Sequence, residues 1–163
     1  MPHWHLKDRQ GVYTIAVFKK MALNEAISLR KLGWEPAFDW SNYCNKRSLS
    51  QAYKLIVPGN RMIEGAVSYH LDEGFAFISL LESALSNRYG NPNRIYVNVA
   101  DVLIGEVCRQ SIESGFEGYV SLVSKSEKIS YYVDRIGAHQ MGGTTRMYID
   151  SIAANRLIEL YYY

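Results

Sequence analysis

The run FAFISLL, from Phe75 to Leu81, is apolar at six of its seven positions and has the length of a strand. Such a run is expected at the centre of a sheet that is covered on both faces. Two further strands precede it, over Tyr53–Val57 and Met62–Leu71, and the turn signals 58–60 (PGN) and 72–74 (DEG) separate the three. Because the connections are so short, the sequence predicts an antiparallel meander.

The segment after the meander predicts a crossover to a parallel strand. Asn98 can cap a helix over Val99–Glu113, whose apolar residues cover too much of the circumference for a one-sided surface helix. Gly115 ends this helix, and Tyr119–Val123 (YVSLV) is typical of a strand. A strand, a helix and a second strand in this order imply a parallel, right-handed connection.

The two ends of the chain show weaker patterns. Residues 1–10 lack the apolar run of a signal peptide and are expected to be mobile, and residues 34–50 have no clear period. The remaining predicted elements are a strand over Gly11–Phe18, a helix over Ala22–Leu32, a helix over Glu127–Ile136, a turn at 142–143, a strand over Arg146–Ile149 and a helix over Ile152–Tyr161.

Length and composition bound the class of protein. The 163 residues suffice for one compact domain and are too few for two ordinary ones. The expected fold class is α+β, with helices on both sides of a mixed sheet whose strands splay and open a cleft. A net charge of +2 with scattered basic residues favours neither nucleic acid nor membrane binding. Two cysteines and no membrane-length apolar run favour a soluble protein of the reducing cytoplasm.

Several strings, taken in order, resemble the GNAT superfamily of acyl-CoA-dependent N-acetyltransferases. FAFISLLESA (75–84) is similar to the family's central fourth strand, and VADVLIGEVCRQSIESGFEGYVSL (99–122) to its cofactor-binding helix and fifth strand. KISYYVDRIGA (128–138) resembles the next helix, and RMYID (146–150) the close of the domain. The resemblance covers about residues 53–163 and leaves an atypical N-terminal part. It implies a GNAT-like α/β/α arrangement, acetyl-CoA as the cofactor and direct acetyl transfer to an amine.

The resemblance also implies a cofactor cleft between the family's fourth and fifth strands, which are expected to part after Leu81. The amide-rich pantetheine arm would pair, like an added strand, with the edge that carries Ser83 and Ala84. The diphosphate would bind backbone N–H groups at the helix N-terminus, which begins at Val99.

The phosphate loop departs from the family pattern Gln/Arg-x-x-Gly-x-Gly/Ala. Residues 96–101 (YVNVAD) stand in its place, with Asn98 and Ala100 at the two glycine positions. Asp101 favours the helix dipole but repels a diphosphate bound at the same helix end. The arginines that could offset this repulsion are Arg88 and Arg94.

Candidate catalytic groups follow from the same resemblance. Glu82, which ends the apolar strand, is the predicted general base, and the alternative is a carboxylate that is solvated or paired with an arginine. Tyr132 or its neighbour Tyr131 is predicted to protonate the leaving thiolate, unless both merely pack. His70 and His139 are alternative bases, although single histidines on strands and turns are more often structural.

The residues and the resemblance are compatible with two functions. No zinc-ligand spacing, P-loop lysine or serine nucleophile elbow is present, and the absence of an activated nucleophile favours direct transfer over an acyl-enzyme. The resemblance implies that the acceptor is a small-molecule or protein amine. The alternative is a GNAT-fold binding or regulatory protein with weak or no turnover. The tyrosines 161–163 could serve a homodimer contact.

Overall fold

The structure is a computed structural model that describes residues 1–163. Its strands are β1 (Trp4–Lys7), β2 (Tyr13–Lys20), β3 (Gln51–Ile56), β4 (Gly65–Leu71), β5 (Ala76–Ser83), β6 (Val120–Val123), β7 (His139–Gln140) and β8 (Arg146–Ile149). They form one sheet in the order β1-β2-β3-β4-β5-β6-β8-β7. Only β5 and β6 are parallel neighbours, so the predicted meander and the parallel crossover are both confirmed.

The helices flank this sheet on both faces. They are α1 (Leu23–Lys31), α2 (Val99–Glu113), α3 (Ile129–Tyr131) and α4 (Ser151–Tyr161). The larger apolar cluster lies between the sheet and α2 and α4, and a smaller one lies under α1 and the segment that follows it. None of the helices combines the length and the apolar character that crossing a bilayer requires.

Helix α2 has the predicted bounds and is buried along most of its length. Gly65 on β4 lets its first turn approach the sheet, because a Cβ at this position would lie 2.6 Å from Val99 Cγ1. A side chain larger than hydrogen would therefore push the N-terminus of α2 away from the sheet.

The helix predicted over Glu127–Ile136 is wrong as a single regular element. A 3-10 turn over Ser126–Lys128 leads into α3, and a π turn over Tyr132–Ile136 completes the segment. Two adjacent tyrosines followed by a β-branched residue have low helix propensity, and π turns are frequent at functional sites.

The expectation of a mobile N-terminus is also wrong. Trp4 and Leu6 are buried in the main core, and β1 pairs with β2. Tyr162 packs on Trp4 with ring centroids 4.9 Å apart, and Tyr163 stacks on His5 at 4.0 Å. The C-terminal tyrosines therefore cover the first strand of their own chain. A four-residue strand is too short for its alternation to be recognised in the sequence.

Candidate functional site

The sheet opens between its two parallel strands. Pairing of β5 with β6 covers only Ala76 with Val120 and Phe77 with Ser121. The edge of β5 from Ile78 to Ser83 therefore has no strand partner over about 20 Å. The predicted splay is present, but it begins after Phe77 and not after Leu81. The expected point was too late because Leu122 and Val123 of β6 pair with β8 alone, and β5 bulges at Ser79.

A bulge interrupts β5 at the narrow end of this opening. On β4, Ser68 lies opposite Leu80 and Tyr69 lies opposite Ile78, so Ser79 is an extra residue between them. An extra residue in one strand bends it and re-aims its side chains, and bulges of this kind are frequent beside active sites.

The N-terminus of α2 lies at the end of the chain segment that follows β5. Asn98 occupies the cap position, but its side chain does not cap the helix. Its Oδ1 accepts from the Lys7 amide at 2.8 Å and its Nδ2 donates to the His5 carbonyl at 3.0 Å, so it ties α2 to β1. The first helical amide with an acceptor is that of Val102, at 3.0 Å from the Asn98 carbonyl oxygen. The preceding amides of the first turn remain free to bind an anion.

Asp101 occupies this first turn and is buried. Burial raises the pKa of the Asp101 carboxyl, against the lowering effects of Arg135, the Tyr131 hydroxyl and Arg156. Positive charge near the helix end thus comes from Arg135 and Arg156, neither of which the sequence analysis selected. Both lie far from Asp101 along the chain, so no local spacing links them to it.

The two candidate tyrosines separate in the structure. The Tyr131 hydroxyl donates to Asp101 Oδ1 at 3.2 Å, and burial together with that carboxylate raises the pKa of Tyr131. Tyr132 lies in the main core, and burial raises its pKa as well. Both phenols therefore hold their protons at neutral pH, and Tyr131 places its hydroxyl at the start of α2.

Glu82 points to the opposite face of the sheet, under α1. Its Oε2 accepts from the Glu35 amide at 2.7 Å and from Arg88 Nη2 at 2.6 Å, and its Oε1 accepts from Trp40 Nε1 at 3.1 Å. The side chain is 6% exposed. Three donors occupy most of the acceptor positions of one carboxylate.

The structure does not bring Arg88 and Arg94, which lie between β5 and α2, to Asp101. Arg88 pairs with Glu82, and the Arg94 guanidinium stacks on the ring of Tyr89 at 5.1 Å. Their predicted role at the diphosphate has no support in these contacts, because both side chains already have partners.

The remaining predicted edge residues lie at the end of β5. Ser83 pairs with Gly65 of β4, and the Ala84 amide donates to the Glu64 carbonyl at 3.0 Å. Ala100, in the first turn of α2, is half-buried. Ser83 and the preceding residues of β5 pair with β4 on one side only, so their edge towards β6 stays unpaired. The Ala84 amide is already bonded.

Glu64 was missed by the sequence analysis. It is buried beside the end of β5, and burial raises its pKa although Asn87 Nδ2 donates to it at 2.9 Å. Buried carboxyls with raised pKa values cluster at functional sites. A polar residue directly before a strand glycine was the only local signal, and such residues are common in turns.

The two alternative histidines have different surroundings. His139 Nε2 lies 2.8 Å from Asp150 Oδ2 at the start of α4, away from the opening between β5 and β6. His70 lies on β4, next to β5 with its bulge, and its Nδ1 contacts Ser50 Oγ at 2.7 Å. Of the two, only His70 is near the opening.

Comparisons with known proteins give the fold a name. No protein-family model and no curated protein sequence matches the chain. Among solved structures, AtaTR bound with AcCoA superposes with a TM-score of 0.58 at 11% identity, over 88% of this chain and 98% of that one. A candidate streptothricin acetyltransferase from Bacillus anthracis str. Ames, in complex with acetyl coenzyme A, gives 0.54 at 10% identity, over 91% and 96%.

A third solved structure is a tandem GNAT protein from the clavulanic acid biosynthesis pathway. It gives a TM-score of 0.53 at 12% identity, over 78% of this chain and 45% of that one. Identities this low establish the fold and not the activity. The chain has the GNAT fold, and the resemblance read from its sequence is confirmed at that level.

Proposed function

We propose that this protein is an acetyl-CoA-dependent acetyltransferase that moves an acetyl group directly onto an amine. The observation that carries the proposal is the opening between β5 and β6, with an unpaired strand edge on one side and an uncapped helix N-terminus beyond it. An acyl-CoA has two parts that match these features. Its pantetheine arm carries amides, and its diphosphate carries negative charge.

Backbone groups on both sides of the opening suit an acyl-CoA. An unpaired strand edge presents amide and carbonyl groups that an extended, amide-bearing ligand can bind as if it were another strand. The free amides in the first turn of α2 and the helix dipole both favour an anion at that end. Asp101 opposes the anion, and Arg135 and Arg156 reduce that opposition.

The chemistry requires a neutral amine and a proton for the departing sulfur. The amine nitrogen attacks the thioester carbonyl carbon, the C–S bond breaks, and the products are an amide and the CoA thiol. Tyr131 stays a prediction for the group that protonates the sulfur. Its hydroxyl carries a proton, but it contacts Asp101 at the start of α2, the end at which the diphosphate would bind. Tyr132 stays a prediction for the same role.

Glu82 stays a prediction for the general base. Its three donors hold it in one orientation at the end of β5, on the face that α1 covers. The same donors compete with a substrate amine for its oxygens. A Glu82→Gln variant that keeps full turnover would remove Glu82 from the reaction.

A second candidate is a GNAT-fold protein that binds acyl-CoA without turning it over. The specific observation in its favour is that both predicted catalytic groups already have partners, Glu82 with Arg88 and Tyr131 with Asp101. In that case the cofactor would act as a signal, and neither of these two groups would exchange a proton with a substrate.

Two measurements separate these functions. Isothermal titration calorimetry with CoA tests binding, and thiol release from acetyl-CoA tests turnover with a panel of a polyamine, an aminoglycoside, free amino acids and a lysine-containing peptide. We expect micromolar CoA binding, and thiol release with at least one amine. Binding without thiol release would support the regulatory candidate, and absence of CoA binding would overturn both.

A further inference from the structure

A chain of hydroxyl and imidazole groups crosses three strands on the α1 face of the sheet. Ser50, which precedes β3, contacts both Ser79 Oγ on β5 and His70 Nδ1 on β4, the latter at 2.7 Å. His70 Nε2 lies 3.8 Å from Asp72 Oδ2 in the turn after β4. Hydroxyl, hydroxyl, imidazole and carboxylate thus form a continuous path from β5 towards solvent, where the Asp72 side chain is 48% exposed.

Buried polar groups on this face of the sheet need hydrogen-bond partners to be stable. Ser50 is buried, and the hydroxyl of nearby Ser68, which is fully buried, has no hydrogen-bond partner. A buried hydroxyl without a partner destabilises the folded state relative to an apolar residue of the same size. Ser50 avoids this cost through its contacts with Ser79 and His70, so the three side chains form one connected polar network.

Ser79, the first group of this path, lies where the thioester of a bound acyl-CoA would lie. If the diphosphate binds at the start of α2, the pantetheine arm runs back along the unpaired edge from Ser83 towards the last paired residue, Phe77. Ser79 lies about 13 Å along that edge from Ser83. It is half-buried, and it is the bulge residue at the narrow end of the opening.

We propose that Ser79, Ser50 and His70 form a proton relay that deprotonates the acceptor amine, an inference that rests on the proposed acetyl transfer. The substrate ammonium donates to Ser79 Oγ, Ser79 donates to Ser50 Oγ, and Ser50 donates to His70 Nδ1. One proton moves along this path and leaves an imidazolium beside Asp72. The neutral amine forms the C–N bond as the C–S bond breaks, and its second proton balances the one taken up by sulfur.

The surroundings of the imidazole suit this role. Asp72 is the charged group that pairs with it, the Ser50 hydroxyl contacts its Nδ1, and the Phe77 ring packs against it with centroids 5.5 Å apart. An imidazolium formed here gains a carboxylate partner and can return its proton to water. Ser79 would be the group that touches substrate, and His70 would act through it.

The test compares His70→Gln and Ser50→Ala with Ser111→Ala. Ser111 is a matched control, because its buried hydroxyl bonds to the Tyr119 carbonyl at the far end of α2. With the amine that gives the highest thiol release, we expect His70→Gln to lower kcat/KM about 100-fold at neutral pH, and Ser50→Ala to lower it by a similar factor. Both losses should shrink at high pH, where the amine is already neutral. Ser111→Ala should keep the wild-type pH profile.

Binding data distinguish failure of the relay from failure of the proposed function. Wild-type protein that binds no CoA would overturn both. Normal CoA binding together with unchanged pH profiles in His70→Gln and Ser50→Ala would overturn the relay alone, and so would an acetyl adduct on a serine detected by mass spectrometry. If no amine in the panel is acetylated, NMR of the His70 ring decides: acetyl-CoA binding that leaves its signals unmoved also overturns the relay.

Discussion

Two buried carboxylates flank the opening of the sheet, and they differ in their hydrogen-bond partners. Glu82 and Asp101 are 7% and 5% exposed. Glu82 accepts hydrogen bonds from an arginine, an indole and a backbone amide. Asp101 accepts one from a tyrosine hydroxyl, and two more distant arginines act on it by their charge. The comparison shows that burial alone does not fix the surroundings of a carboxylate, because two equally buried carboxylates differ in the number and charge of their partners.

The consequences for the surrounding chain differ as well. Through Trp40 and the Glu35 amide, Glu82 anchors the irregular segment after α1 to the end of β5. The same segment reaches Lys125, just beyond β6, which lies 4.0 Å from the Glu35 carboxylate and 5.6 Å from the Phe38 ring. Asp101 makes a single tie of this kind, to Tyr131 in the irregular segment that contains α3. Its burial leaves a carboxyl with a raised pKa where the proposed diphosphate would bind.

The largest expected effect is on stability at Glu82. Glu82→Ala leaves the Trp40 indole N–H and the Glu35 amide without acceptors and leaves Arg88 unpaired, so we expect a loss of about 3 kcal/mol in the free energy of unfolding. Urea denaturation measures it. Glu113→Ala, at an exposed carboxylate paired with Arg109, serves as the control and should cost about 0.5 kcal/mol or less. Equal losses in the two variants would contradict the anchoring role of Glu82.

A smaller effect separates the two loop arginines. Arg88→Ala removes one of the three donors to a buried carboxylate, and we expect it to cost about 2 kcal/mol. Arg94→Ala removes only the stacking on Tyr89 and should cost about 0.5 kcal/mol. Thermal unfolding of the two variants side by side measures the difference, and a larger loss for Arg94 would show that its side chain has a further partner.

The next prediction concerns CoA affinity at Asp101. Asp101→Asn keeps an acceptor for the Tyr131 hydroxyl but removes the negative charge from the first turn of α2. If the diphosphate binds there, affinity for CoA should rise by about 1 kcal/mol, roughly five-fold, in calorimetry. The control is Glu113→Gln at the other end of the same helix, which should leave affinity unchanged. Weaker binding by Asp101→Asn would place the diphosphate elsewhere.

The smallest expected effect is the pH dependence that Asp101 gives to folding. Its pKa is raised above the ordinary value of 3.8, so the unfolded chain ionises first. The stability of the wild type should therefore fall as pH rises from about 4 through the folded-state pKa, relative to Asp101→Asn. Urea denaturation of both proteins across this range measures the difference. A difference in unfolding free energy between the two proteins that stays constant with pH would show that folding does not shift the Asp101 pKa.

Much of the fold could be predicted because its signals are local. The meander, α2 and β8 have apolar runs or capping residues that fix their type without reference to the rest of the chain. The segment at Tyr131-Tyr132 was harder, since a π turn depends on what the side chains contact. Strand β1 was missed because four residues carry too little alternation to be recognised.

The candidate site was predictable only in part. The sequence indicated Glu82, Asp101 and the tyrosine pair as groups of interest, but it paired Arg88 and Arg94 with a diphosphate. In the structure Arg88 bonds to Glu82, and Asp101 is influenced instead by Arg135 and Arg156. Partners separated by tens of residues in the chain leave no spacing that a sequence can display.

By itself, the sequence determined the order and type of the main elements and, through them, the GNAT fold, because hydrophobic periodicity and turn residues act over a few positions. Only the tertiary structure decided where β5 leaves β6, which tyrosine meets Asp101, and that Ser50, His70 and Ser79 share one path. Those outcomes depend on distances between strands that are remote in sequence, and such distances are set by how the whole sheet and its helices pack.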